Sequence, residues 1–278
     1  MATGSIPRVT AMRYVQPLRE GGSLPAVVDT EDGLYVVKFR GAGQGPKALV
    51  AELIVGLIAE RLGLSVPQLA LVHLPSPFGR SEPDPEIQDL LRRSHGVNVG
   101  LRYLDGAFNF DPTAAAPVIA PELAARVVWL DALVTNPDRT HRNPNLLVWD
   151  RRPWLIDHGA ALYVHHHWAN ATAEKTRGPF PLIANHVLLG WSDDLEAVDA
   201  PAAAALDSRA LEEILGAVPD ELLAAPELAA EGTPAEHRRR YSEYLGERLR
   251  SPRQFVTGAV EARERLRRTT PQRRAARR

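Results

Sequence analysis

Asn136-Pro137-Asp138-Arg139-Thr140-His141-Arg142-Asn143, followed after a short hairpin by Ile156-Asp157-His158-Gly159, is the stretch on which the reading of this chain turns. Asp138 and Asn143 stand five residues apart in a polar loop that follows a helical pattern over 121–135. Leu146-Leu147-Val148-Trp149 and Trp154-Leu155-Ile156 read as two short strands joined by Asp150-Arg151-Arg152-Pro153, so Asp157 closes the returning strand. A hairpin brings its two ends to one edge, and therefore brings Asp157 back beside the loop. Asp and Asn are common in loops because they bond their own backbone, so no one of the three carries much alone. Together and in this order they match the parts that phosphoryl transfer to a hydroxyl requires. One carboxylate orients the hydroxyl; an amide and a second carboxylate serve as oxygen ligands for magnesium.

Working upstream, the same chemistry needs a lysine on a strand for nucleotide phosphates and a helix glutamate to hold it. Leu24 to Val28 and Leu34-Tyr35-Val36-Val37-Lys38-Phe39 read as a hairpin around the turn cluster Asp29-Thr30-Glu31-Asp32-Gly33. Only three of the 33 basic residues are lysine, and Lys38 lies inside an apolar strand. Alternation places Val36 and Lys38 on one face, so the ammonium must meet water or a partner. Glu52, in the helix expected over 47–62, is the natural partner and Glu60 a weaker one. The spacing of Asp138 to Asn143 matches the catalytic loop of protein kinases, and Asp157-His158-Gly159 stands where their Asp-Phe-Gly would.

With Gly21-Gly22-Ser23, Val36-Val37-Lys38-Phe39, the helix glutamate, Asn136-x-Asp138-Arg139-x-x-x-Asn143 and Ile156-Asp157-His158-Gly159 in this order, the chain resembles the HipA-like kinases. More distantly it is similar to phosphoinositide kinases, whose loop also reads Asp-Arg. The resemblance covers roughly residues 15–165 and implies an α+β, bilobal protein-kinase-like fold with ATP and magnesium between the lobes. It implies a small antiparallel-sheet N-lobe with one long helix over 1–105 and a mostly helical C-lobe over 106–262; residues 263–278, with eight arginines and few apolar anchors, read by composition as a fraying helix and basic solvated tail. It implies Lys38 on the phosphates with Glu52 on Lys38, Asp138 as catalytic base, and Asn143 and Asp157 on the metal. Gly21, Gly22 and Ser23 would contact the nucleotide, and Arg102-Tyr103-Leu104 would be the hinge that meets adenine. His158 departs from the family's phenylalanine. The expected acceptor is a serine or threonine hydroxyl of a protein; a silent nucleotide-binding module and a small-molecule or lipid-headgroup kinase use the same residues.

The rest of the chain sets limits. A net charge of −1 argues against direct DNA binding. No run approaches the ~18 apolar residues of a membrane span, and no charged-then-apolar leader is present, so a cytoplasmic protein is expected. Without cysteine there are no disulfides and no thiolate chemistry. Further strands are expected over 66–73 and 98–104, a polar insertion over 75–95 with a short helix around 87–91, and helices beyond Ala205. Thr233-Pro234-Ala235-Glu236 and Ser251-Pro252-Arg253-Gln254 both read as capping boxes. Gly41-x-Gly43-x-Gly45-Pro46-Lys47 lacks the spacing and hydroxyl residue of a phosphate loop and reads as a connector. His165-His166-His167 are adjacent and ill placed to converge on one ion.

Overall fold

The computed structural model describes residues 5–18, 24–76, 78–80, 82–112 and 119–269. Strand β1 (Arg8–Pro17) pairs antiparallel with β2 (Ala26–Thr30), and β2 with β3 (Gly33–Lys38). Next come helix α1 (Gly45–Arg61), strand β4 (Leu69–Leu74), helix α2 (Pro85–Arg93) and strand β5 (Gly96–Arg102). β5 lies between β3 and β4, antiparallel to both. The expectation of a purely antiparallel sheet needs correction: β1 pairs in parallel with β4, Val9 opposite Val72, and the five strands close into a barrel. β1 carries mixed polar and apolar residues with two register shifts, so no clean alternation announces it in the sequence. Val28, Tyr35, Val37 and Val72 fill the barrel interior.

Several expected boundaries move. Leu24 and Pro25 precede β2, and β4 begins at Leu69 because Pro67 cannot donate to a ladder. β5 ends at Arg102, leaving Tyr103 and Leu104 beyond it. After β5 the strand β6 (Phe108–Asn109) joins a small sheet with β7 (Leu146–Trp149) and β8 (Arg152–Leu155). Asp150 and Arg151 both have positive φ, at 47° and 58°, the geometry of the tight two-residue turn that suits strand twist.

Helix α1 is buried almost throughout, from Ala48 to Ala59. An apolar run with no polar face belongs between two packed layers. Here the layers are the barrel and the helices α3 (Pro121–Leu133), α6 (Ser208–Ala217) and α7 (Asp220–Leu223). The helical region is completed by α4 (Ala173–Arg177), α5 (Leu195–Ala205), α8 (Pro234–Leu249) and α9 (Gln254–Thr269). The capping box at Thr233 forms in both directions with Glu236. The one expected at Ser251 does not: α9 begins only at Gln254, and Arg253 instead grips Asp199 at 2.7 and 2.8 Å. Of the basic end read as a fraying helix and solvated tail, residues 263–269 are helical and Leu266 packs on the core, while 270–278 lie outside the described residues. No described helix is long and apolar enough to cross a membrane.

Candidate active site

Lys38, at the end of β3, and Glu52, in the second turn of α1, are both buried, and their side chains meet at 2.6 Å. The same ammonium lies 2.6 Å from Asp157, 119 residues away in sequence. Burial pulls the Lys38 pKa down, but the Glu52 and Asp157 carboxylates outweigh it and hold the ammonium above its ordinary value. Burial likewise pushes Asp157 up, and Lys38 more than reverses that, leaving its carboxyl below the usual range. Lys38 and Asp157 are thus both held in their charged forms, whereas burial raises the Glu52 carboxyl above its ordinary value by more than the Lys38 charge offsets. Asp157 sits in the left-handed region, φ 56°, which non-glycine residues seldom adopt without support. The support is visible: the backbone N–H of His158 donates to Glu52 Oε2 at 2.7 Å, so one carboxylate oxygen receives both Lys38 and the turn after β8.

The loop between α3 and β7 is built around Arg139, which is buried to 1% exposure. Its Nε donates to Asp131 Oδ2 at 2.6 Å, and its other nitrogens reach the carbonyls of Asn145 and Ile156 and the ring of His158 at 3.2 Å. Asp131 also receives Asn136 at 3.0 Å and His186 at 2.9 Å. Burial pushes the Asp131 carboxyl up, and Arg139 with His186 pulls it far below the normal range. Where the family's phenylalanine is replaced, His158 is fully buried and accepts from Arg139. Burial first, then the Arg139 charge, lowers its pKa to about 3, so the ring is neutral.

This hub presents Asp138. Its N–H donates to Asn136 Oδ1 at 3.0 Å, and its Oδ2 accepts from Asn143 at 2.9 Å and Asn145 at 3.1 Å. The other Asp138 oxygen takes no protein donor among the described residues. Asn143, Asn145 and Asp157 line a cavity of about 520 Å³ together with Val36, Lys38 and Leu147. Its far wall includes Arg102, Tyr103 and Leu104, and Arg102 itself pairs with Asp32 at 3.1 Å. Such a volume lies within the range of small-ligand clefts. Asn143 Oδ1 and Asp157 Oδ2 take no protein donor among the described residues. Nor do the described residues contain a group of three or more His, Asp or Glu side chains able to hold an ion. An amide oxygen and one carboxylate oxygen suit magnesium, which keeps water and phosphate oxygens as its other ligands.

The structure thus brings Lys38, Glu52 and Asp157 into contact and sets Asn143 on Asp138. Glu60 is not at the triad, and Gly21, Gly22 and Ser23 lie outside the described residues. Sequence reasoning missed Asp131, Arg139 and His186, although an aspartate within Val127-Val128-Trp129-Leu130-Asp131-Ala132-Leu133 was a legible anomaly. It also missed Lys47, whose ammonium lies 2.6 Å from the His165 carbonyl and 2.6 Å from Glu231, fastening the start of α1 to the segment after Asp157. His165 in turn bonds Tyr241 at 2.9 Å.

Three buried histidines, at 158, 165 and 186, have pKa values depressed chiefly by burial, the first two to about 3. Their ordinary value is about 6.5, so between the two the unfolded chain binds protons that the folded chain does not. Stability is therefore full above about pH 6.5 and falls as the pH drops, by up to about 1.4 kcal/mol per pH unit for each ring. Urea midpoints should fall from pH 7.5 to pH 5, and His165→Gln should flatten the slope. A midpoint constant across that range would contradict the neutral assignment.

A family model described as HipA-like kinase matches residues 12–228. Among solved structures, the proinflammatory kinase CtkA of Helicobacter pylori superposes with a TM-score of 0.54 at 13% identity, covering 94% of this chain and 99% of its own. No curated protein matches the chain.

Proposed function

The chain belongs to the HipA-like kinase family and is an ATP-dependent phosphotransferase by that membership; from this premise we propose that it moves the γ-phosphoryl group of magnesium-bound ATP to a serine or threonine hydroxyl of a protein. The observation that carries the reading is the double contact of Lys38, 2.6 Å from both Glu52 and Asp157, at the edge of the 520 Å³ cavity. A buried lysine held in this way offers a fixed positive charge to phosphate oxygens.

In this reading the nucleotide lies between the sheet-rich and helical regions as two lobes. The adenine is flanked by Val36, Leu101 and Leu147, with Arg102, Tyr103 and Leu104 at the hinge. Glu52 positions Lys38, and Lys38 binds phosphate. Asn143 and Asp157 hold magnesium, which when bound offsets charge on the phosphates. Asp138 accepts a hydrogen bond from the acceptor hydroxyl on the oxygen that its asparagine partners leave available. As the hydroxyl oxygen bonds to the γ-phosphorus, the bond from that phosphorus to the β–γ bridging oxygen breaks. ADP leaves with the electron pair, and the hydroxyl proton passes to Asp138. Little covalent work falls to the protein, so positioning and charge supply most of the effect.

Incubating the full chain with γ-labelled ATP and magnesium, alone and with a cell lysate, tests the reading; label on a serine or threonine of a protein is expected. No transfer to any acceptor, with no nucleotide turnover, would sink it. Asp157→Asn should weaken ATP binding in magnesium at least about tenfold, or about 1.4 kcal/mol, and change it little in EDTA. Calorimetry with and without the metal reads the difference, and equal losses in both would remove Asp157 from the metal.

A further inference from the structure

Asp138 stands between two hollows. On one side Asn143 and Asn145, which hold its carboxylate, line the nucleotide cavity. On the other, Thr135 and Pro137 line a separate depression of about 260 Å³. Phe180, 9% exposed, lies at its base, while Tyr163 and Leu182 remain 62% and 51% exposed at its rim. Large apolar side chains left this exposed beside a reacting carboxylate mark a contact surface. The only charged side chain in this hollow is Lys175, one of the chain's three lysines, and it makes no ion pair among the described residues.

The hollow does not end there. Ala171, Thr176 and Tyr244 are shared with a second depression of about 330 Å³ that reaches Trp168 and Arg240. Glu243 and Glu247 line it as well; Glu247 pairs with Arg250 at 3.1 Å and Arg177 at 3.7 Å, while the exposed Glu243 comes no nearer than 4.0 Å to Arg239. The two hollows adjoin in a groove that begins beside Pro137, is mainly apolar at that end with Lys175 as its charged side chain, and at the far end is lined by Arg240 together with Glu243 and Glu247.

A phosphorylated headgroup or other small anion would need several donors converging on one point. The first hollow offers a single ammonium, set among apolar side chains. An extended chain, whose side chains reach alternate pockets, fits this layout. We propose that the groove seats the acceptor segment of a protein substrate, with a bulky apolar side chain against Tyr163 and Leu182 and an acidic one at Lys175, so that a nearby hydroxyl reaches Asp138. The proposal deepens, and rests on, the kinase reading above.

A positional-scanning peptide library with a fixed serine or threonine, labelled ATP and magnesium, applied to the full chain, reads it directly. One position should favour Leu, Ile, Met or Phe, and another Asp or Glu, each about tenfold over glycine. Lys175→Glu should reverse the charge preference to Lys or Arg, an outcome that misfolding cannot produce. Tyr163→Ser with Leu182→Ser should raise the KM of the best peptide about tenfold with the ATP dissociation constant as the control. Peptides labelled without these preferences, or a Lys175→Glu profile like that of the parent, would overturn the groove assignment and leave the kinase reading standing. Turnover of ATP with no peptide labelled would overturn a peptide as the occupant. Failure to bind or turn over ATP strikes the underlying kinase reading instead.

Discussion

Asp138→Asn is expected to lower phosphoryl transfer by about 10²- to 10⁴-fold while ATP still binds with a dissociation constant within about a factor of two of the parent's. The substitution keeps the size and planarity of the side chain, so the loop held by Arg139 should stay in place. Asn143 and Asn145 donate to Oδ2 at 2.9 and 3.1 Å, and an amide oxygen can still accept from them. The NH2 group would then occupy the position from which the carboxylate orients the hydroxyl, and an amide takes no proton. In the proposed reading the nucleotide contacts depend on Lys38 and the cavity wall, of which the change meets only Asn143 and Asn145, whose hydrogen bonds the amide oxygen can keep. Single-turnover transfer from labelled ATP, with calorimetry for binding, separates the two effects. Retained turnover would remove Asp138 from the role of base.

The second large effect is on stability. Asp131→Ala leaves the guanidinium of Arg139 buried with its principal counter-charge gone, and also strips His186 and Asn136 of an acceptor. Both Asp131 and Arg139 side chains are fully buried, so water cannot take over. Removing one partner of such a pair typically costs about 3–5 kcal/mol. Urea unfolding should show a loss of that order, and in a chain of this size the melting temperature should drop by about 10 °C. Adding Arg139→Met should restore part of the loss, because no unpaired charge then remains. A loss below about 1 kcal/mol would mean that the hub is looser than its hydrogen bonds indicate.

These two residues also divide what is legible in a linear chain from what is not. Asp138 is conspicuous because a five-residue spacing to Asn143, a hairpin and Asp157 form a local pattern, and such patterns are set by turn chemistry and strand periodicity over a few neighbours. Asp131 sits one helix turn before the same loop, yet its partners Arg139 and His186 come from 8 and 55 residues away. Only the contacts give it a meaning. His158 is a similar case: in the chain it looks like a departure from Asp-Phe-Gly, and in the fold it is an uncharged ring that accepts from Arg139 and fills the buried position.

Element boundaries are set by tertiary contacts as much as by local sequence. Ser251-Pro252 satisfies the local rule for a helix start, but Arg253 is drawn to Asp199, and the helix begins at Gln254 instead. β1 has no legible signature in the linear chain, because its register shifts break the alternation that marks a strand and its pairing with β4 is a long-range event.

By itself, the sequence determined the order of chemical parts: a lysine on a strand, a glutamate in the following helix, and a loop and strand end carrying two carboxylates and an amide. Tertiary structure alone decided that residues 119 apart would share one ammonium, that Arg139 would be the pivot of the loop, and that Lys47 would tie α1 to the segment after Asp157. Backbone propensity and side-chain period act over a turn or two of chain, whereas burial of charge is settled only when whole layers pack and each ion must find its partner.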